Sequence, residues 1–302
     1  MKQFTKQTAV LLALVILCLT GCTPTPKGYV KRATAIMDKR GLYATGDGWY
    51  NMKYGLIHAN PQTMEEAHAL VSEGLEVAGG KHSGLIEATI ATQNDTVSWV
   101  MPTLTVADDI AQITLPHFMG NKKEGVRYAE TILNDLPETL KGAVIDLRGN
   151  TGGNMYPMIA AIHPFLPDDN ILGFRSRTSS SYVNTDYVCR VVGVAKQPHL
   201  DCPTAILIDS LTASSGEATL ICFRGLEQVR TFGQPTAGYA SGNIPYTMPD
   251  GSILILTTSK DVARTGEEFC DDPIAPDSLT ETPLADALQW LKATIQDKTM
   301  VE

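Results

Sequence analysis

Apolar positions along this chain follow two rhythms, and the change comes near residue 80. From 28 to about 80 the spacing is helical. Met64, Ala67, Leu70, Val71, Leu75 and Ala78 share one face behind the capping box Thr63-x-x-Glu66, and Gly79-Gly80 stops the run. Beyond it, short apolar runs alternate with polar or glycine-rich turns. Residues 97–100, 111–115, 205–208, 229–232 and 253–256 predict strands, the last paired through a hairpin around Pro249-Asp250-Gly251. The run 142–147 has no solvent face, which suits a parallel strand covered on both sides. Helices are predicted over 121 to about 136, over 155–165 with Pro157 in the first turn, after Ser214, and from Pro283 to Ile295. Residues 167–203 break the rhythm. They are polar and serine-rich, with a strand-like 187–192, and predict a cap over a site. The pattern is an α/β core behind a helical N-terminal part.

The first residues change the picture of where the chain works. Lys2 and Lys6 precede an apolar stretch from Ala9 to Leu19, too short to span a bilayer comfortably, and Leu19-Thr20-Gly21-Cys22 matches a bacterial lipobox. An ordinary secretory leader with an incidental cysteine would share most of these features. Thr23-Pro24-Thr25-Pro26 resembles a tether just beyond an anchor and favours diacylation of Cys22, since two acyl chains hold where one does not. The expected location is extracytoplasmic, on a bacterial cell membrane or outer membrane. Loss of residues 1–21 takes the formal charge from −9 to −11, which argues against a nucleic-acid partner. Cys189, Cys202, Cys222 and Cys270 show no zinc-ligand spacing, and neither metal nor cofactor is implied. Cys189 and Cys202 could pair, whereas Cys222 and Cys270 read as small buried apolar residues.

Candidate chemistry sits in two turns. Leu211-Thr212-Ala213-Ser214-Ser215-Gly216-Glu217 joins a buried strand to a helix, so a serine there stands off the end of a sheet beside the N–H groups of a helix start. A serine-rich N-cap would look alike. Serine needs a base, and six histidines are available. His68 and His163 read as structural, and His199 lies in the cap. His117 follows Pro116 at a strand end. His82 follows two glycines and precedes Ser83, which makes it the leading candidate with His117 as its rival. The second turn, Arg148-Gly149-Asn150-Thr151-Gly152-Gly153, lacks the G-K-[ST] and G-x-G-x-x-G orders of phosphate loops. A strand-end Gly-Gly can instead offer a backbone N–H to an oxyanion.

These residues carry a resemblance. Asp146-Leu147-Arg148-Gly149-Asn150-Thr151-Gly152-Gly153, Ser214-Ser215-Gly216-Glu217, Gly233-Gln234-Pro235-Thr236 and Ile274-Ala275-Pro276-Asp277 resemble, in order, four signatures of the carboxyl-terminal-processing (tail-specific) serine peptidases. The general-base lysine of the Ser–Lys members would stand twenty-five residues past the nucleophile, where this chain has Tyr239; their aspartate, eleven past it, is Gly225. No room exists for a PDZ domain between His82 and the strand at Ala111. The chain is therefore similar to a PDZ-less branch that uses a histidine from a segment like Lys81-His82-Ser83.

The resemblance implies a ClpP/crotonase-like α/β peptidase core with an N-terminal helical subdomain and a small β-containing cap. It implies Ser214 as nucleophile, His82 as base, and the N–H groups of Gly152 and Ser215 as oxyanion donors. Ser215 remains a rival nucleophile. Asp271 or Asp272 is a candidate third member, Glu217 reads as a first-turn residue complementing the helix dipole, and a dyad without an acid is equally open. The expected organisation is a signal peptide over 1–21, a tether over 22–27, helices over 28–80, the core over 81–282 with the cap at 167–203, and a C-terminal helix over 283–302. The expected activity is endopeptidase cleavage of a peptide or protein near its carboxyl terminus through an acyl-enzyme, lanthionine-containing antimicrobial peptides among the substrates. The other class is a peptide-binding lipoprotein of the same fold without catalysis. The sequence leaves the oligomeric state open.

Overall fold

A computed structural model describes residues 25–88 and 99–301. The leader, Cys22, and Val97 and Ser98 of the expected strand over 97–100 lie outside these residues; Trp99 and Val100 are not in a strand.

Three helices come first: α1 (Pro26–Arg40), α2 (Gly46–His58) and α3 (Met64–Gly79). Thr63 caps α3 by accepting the Glu66 N–H at 3.2 Å, and Gly80, at φ 74°, turns the chain out of it. His82 lies in the turn that follows, ahead of β1 (Gly84–Ile86).

The core is a mostly parallel sheet. Its strands are β2 (Thr103–Ala107), β3 (Ile110–Thr114), β4 (Gly142–Asp146), β7 (Thr204–Ile208), β8 (Val229–Gly233) and β12 (Ser278–Leu279), in the spatial order β12-β8-β7-β4-β3-β2. Only the β2–β3 pair is antiparallel. Both faces are buried, as the run 142–147 predicts. Ile113, Ala143, Ile145, Ile206 and Ile208 point into the main core, with α4 (Lys122–Leu133), α5 (Met155–Ala161) and α7 (Ser215–Ile221) on that side. Ile110, Val144, Ala205 and Leu207 point the other way, onto Ala287 and Leu291 of α8 (Pro283–Val301).

A second, antiparallel sheet is organised on the long strand β10 (Ile253–Val262). It pairs with β1, with β5 (Leu172–Ser176), with β9 (Ser241–Thr247) and with β11 (Glu268–Phe269), and β6 (Ser180–Val183) extends it beyond β5. A bulge between Thr257 and Ser259 bends β10 at mid-length. Leu254 and Leu256 of this strand pack against the N-terminal helices. His68 of α3 holds the tip of the β9–β10 hairpin through Asp250 at 2.6 Å, a structural use of that histidine.

Two expectations are corrected. The strand-like 187–192 is the helix α6 (Thr185–Val192). Its β-branched residues favour a strand, but Thr185, Val188, Cys189 and Val192 are buried at helical spacing, Asn184 caps it, and Gly193 at φ 98° ends it. No Cys189–Cys202 disulfide forms; Cys189 is a buried thiol. Among the described residues no helix is long and apolar enough to cross a membrane.

Leu291 is fully buried where α8 meets the sheet. Leu291→Ala should lower stability by about 2–5 kcal/mol, read as a reduced urea midpoint at unchanged slope.

Candidate active site

Ser214 stands at the junction of β7 and α7 with φ 52° and ψ −115°. Such a backbone costs a non-glycine residue on the order of 1–3 kcal/mol and persists only where its surroundings enforce it. Two groups do so. The Glu217 carboxylate accepts the Ser214 N–H at 2.9 Å. Behind the turn, Ala213 N–H donates to Asn150 O at 2.9 Å, and Thr212 is tied to Asp209 and Leu147.

Glu217 is fully buried. Besides Ser214 N–H, its carboxylate accepts the Thr236 hydroxyl at 2.5 Å, the Gly238 N–H at 2.9 Å and the Tyr239 N–H at 2.7 Å. Burial raises its pKa, and the four donors oppose that rise. Glu217 stands in the first turn of α7, as expected, and its carboxylate also ties the serine turn to the segment 236–239, which reaches the histidine.

That histidine is His82. Its ring meets Tyr239 edge-on, with centroids 5.2 Å apart, and its Nδ1 is 2.8 Å from the Ser241 hydroxyl. No hydrogen bond joins His82 to Ser214 among the described residues; Ser241 is the hydroxyl on the ring, and it borders the same cleft as Ser214. Burial pushes the imidazole down to about 4, Asp271 pulls it up, and Lys81 pushes it further down. The ring is thus neutral at pH 7 and holds a lone pair. Asp271 is the acid that faces it. Its Oδ2 accepts the Tyr43 hydroxyl at 2.7 Å, and its Oδ1 is buried without a partner. Asp272 is exposed. His117 lies in the segment before Phe118, whose backbone brackets the glycine loop.

The glycine loop lies against the serine turn. A Cβ on Gly152 would come within 2.8 Å of Ser214 Cβ, so only glycine permits this approach. The Gly152 N–H, the expected oxyanion donor, donates to Asn150 Oδ1 at 2.9 Å. Gly153, at φ 104°, keeps an N–H with no acceptor among the described residues, and it lines the cleft beside Ser215. The Ser215 hydroxyl donates to Gly153 O at 2.5 Å, which occupies the rival nucleophile. Asn150, fully buried, also donates to Leu115 O at 2.8 Å and so locks both loops to the sheet.

The cleft in front of Ser214 is open and has a volume of about 800 Å³. Ser241 is the residue at the site that sequence reasoning missed, and the reach of Glu217 to residues 236–239 is the contact it missed. Ser241 stands two positions past Tyr239, the site at which the base lysine was sought, and that proximity was its one signal.

Comparison with known proteins agrees with this geometry. Residues 109–280 match the model of peptidase family S41. The chain is 30% identical over 284 residues to the nisin-resistance protein of Lactococcus lactis subsp. lactis, across 90% of this chain and 89% of that protein. It is 27% identical over 181 residues to the carboxy-terminal processing protease CtpA of Bacillus subtilis (strain 168), across 57% of this chain and 36% of that protein. A lipoprotein from Streptococcus agalactiae superposes with a TM-score of 0.80 at 30% identity, covering 90% of this chain and 97% of that one. The photosystem II D1 C-terminal processing protease superposes with a TM-score of 0.60 at 11% identity over 85% and 93% of the two chains, a likeness of fold.

Each oxygen of Glu217 accepts two donors, so an amide nitrogen in either place would face an N–H. Glu217→Gln should therefore cost roughly 1–3 kcal/mol despite its shape, and Glu217→Ala more. Thermal melts of both variants check the order.

Proposed function

The chain belongs to peptidase family S41, and we propose that it is a serine peptidase held on the outer side of a bacterial membrane by a lipid on Cys22. The observation that carries the reading is the strained elbow. Ser214 has a left-handed φ at a strand-to-helix turn, beside a cleft that also holds the hydroxyl bonded to a neutral, half-buried imidazole. An ordinary N-cap needs no such strain, because its φ and ψ lie in the extended region.

The proposed chemistry is acyl transfer. Ser214 Oγ attacks the peptide carbonyl. Its proton passes to Ser241, which gives its own to His82 Nδ1, so the ring becomes an imidazolium while the hydroxyl is restored. The charge of Asp271 favours the protonated ring and so stabilises that cation. The N–H groups of Gly153 and Ser215 receive the oxyanion, in place of the Gly152–Ser215 pair. The imidazolium returns its proton to the leaving amine, and water then cleaves the acyl-enzyme by the same steps in reverse.

Likeness to the nisin-resistance protein and to carboxy-terminal processing proteases supports substrates cut near their carboxyl terminus, cationic lanthionine-containing peptides among them. The formal charge of −9 favours their approach. Likeness to a streptococcal lipoprotein supports the anchor. Cys22→Ala should move the protein from the membrane fraction to the surrounding medium.

A fluorophosphonate should label the unmodified protein and not Ser214→Ala, and peptide cleavage should fall by roughly three orders of magnitude or more in Ser214→Ala and His82→Ala. Ser241→Ala should lose about a hundredfold if it hands on the proton. Saturable peptide binding without labelling would instead identify the non-catalytic binding lipoprotein. Because the ring must be neutral to act, activity should fall only as pH drops through about 4. An acid limb that persists unchanged in the residual activity of His82→Ala would remove His82 as the base.

A further inference from the structure

Away from Ser214, the cleft meets a second carboxyl group that the proposed chemistry does not use. Asp261, near the end of β10, is 2% exposed and lines the same cleft as Ser214 and Ala218. Its Oδ1 is buried with no hydrogen-bond partner among the described residues. The cations closest in sequence are committed elsewhere. Lys260 pairs with Glu268 at 3.0 Å, and Arg264 is bound through its two terminal nitrogens to Asp169 and to Cys222 O, its Nε being buried without a bond to Asp261. Glu217 is the charged neighbour that acts on Asp261, and it carries the same sign; with burial it pushes the carboxyl up to about 8. An unsatisfied buried carboxyl is expensive to keep, and it is a group poised for a ligand.

Much of the wall of the cleft that holds Asp261 is apolar. Met119, Met155, Phe174, Ile244 and Ile255 wall the cleft, with Thr258 and Ser259 near the acid. A hydrocarbon stem ending in a cation fits that order of surfaces: the stem packs on the walls, and the head makes the charge-assisted bond that Asp261 lacks. We propose that Asp261 makes the cleft selective for a peptide carrying a lysine or arginine beside the bond that Ser214 attacks. This rests on the reading of Ser214 as nucleophile. The geometry of the unpartnered acid stands independently of it.

The test measures binding, so that it does not depend on turnover. Peptides of equal length, carrying lysine, norleucine or glutamate at one position beside the cleavage site, are titrated into Ser214→Ala and Ser214→Ala/Asp261→Asn proteins. The first protein should bind the lysine peptide at least about tenfold more tightly than the norleucine peptide, and the ratio should fall to about one in the second. Equal affinities in Ser214→Ala, or a preference that survives the asparagine, overturns the proposal. Should the double variant fail to fold, n-butylguanidinium must displace the lysine peptide from Ser214→Ala where n-butanol does not; equal displacement overturns it as well. Fluorophosphonate labelling of the unmodified protein reports on Ser214 separately. Lost labelling with a retained lysine preference rejects the catalytic reading alone.

Discussion

One buried carboxylate holds the site together. Glu217 collects four donors from two segments: the elbow N–H of Ser214 on one side, and the Thr236 hydroxyl with the N–H groups of Gly238 and Tyr239 on the other. In a low-dielectric interior each of these bonds is strong, and each would be costly to leave unmade. The consequence is geometric. The strained serine and the loop whose Tyr239 borders His82 cannot move independently, because both are anchored to the same few atoms. The left-handed φ of Ser214 is sustained by that anchor rather than by its own preference.

The sheet supplies the rigidity the anchor needs. Strands β4 and β7 are buried on both faces, and the two functional turns leave their carboxyl ends side by side. Asn150 bridges them, bonding Gly152 within its own turn, Leu115 on the neighbouring strand, and through its backbone Ala213 of the serine turn. Glycine at 152 removes the side chain that would keep the loops apart. Preorganised N–H groups beside a nucleophile are worth most when nothing near them can relax, and this packing supplies that condition.

Much of this was legible in the sequence because it is local. The helices α1 to α3, the double-sided strands, the serine turn and the glycine loop each follow from period, caps or turn chemistry read within a dozen residues. What was hidden is what depends on distant pairing. Nothing near Glu217 says that residues 236–239 will close over it. Ser241 is separated from His82 by 159 positions. The resemblance implies the Gly152 N–H as an oxyanion donor, whereas its bond to Asn150 Oδ1 depends on a rotamer that no pattern reveals. The helix α6 was misread for a different reason: its β-branched residues spoke for a strand, and the burial period overrode them.

The absence of a lysine at 239 then acquires a physical account. A buried lysine serves as a base only if desolvation strips its proton. Here the same site holds an aromatic ring that faces two partners: Lys81, whose ammonium lies 4.5 Å from the ring centroid, and His82, which meets its edge. The cation is kept in the aromatic face, where the ring quadrupole favours it, and the imidazole is kept in the desolvated interior, where it stays neutral. Lys81 also lowers the proton affinity of His82, while Asp271 raises it. A base that is too weak accepts its proton late in the reaction. For a ring proposed as the base, burial and the Asp271 carboxylate thus act in opposite directions, and the carboxylate favours the protonated form that the reaction would create.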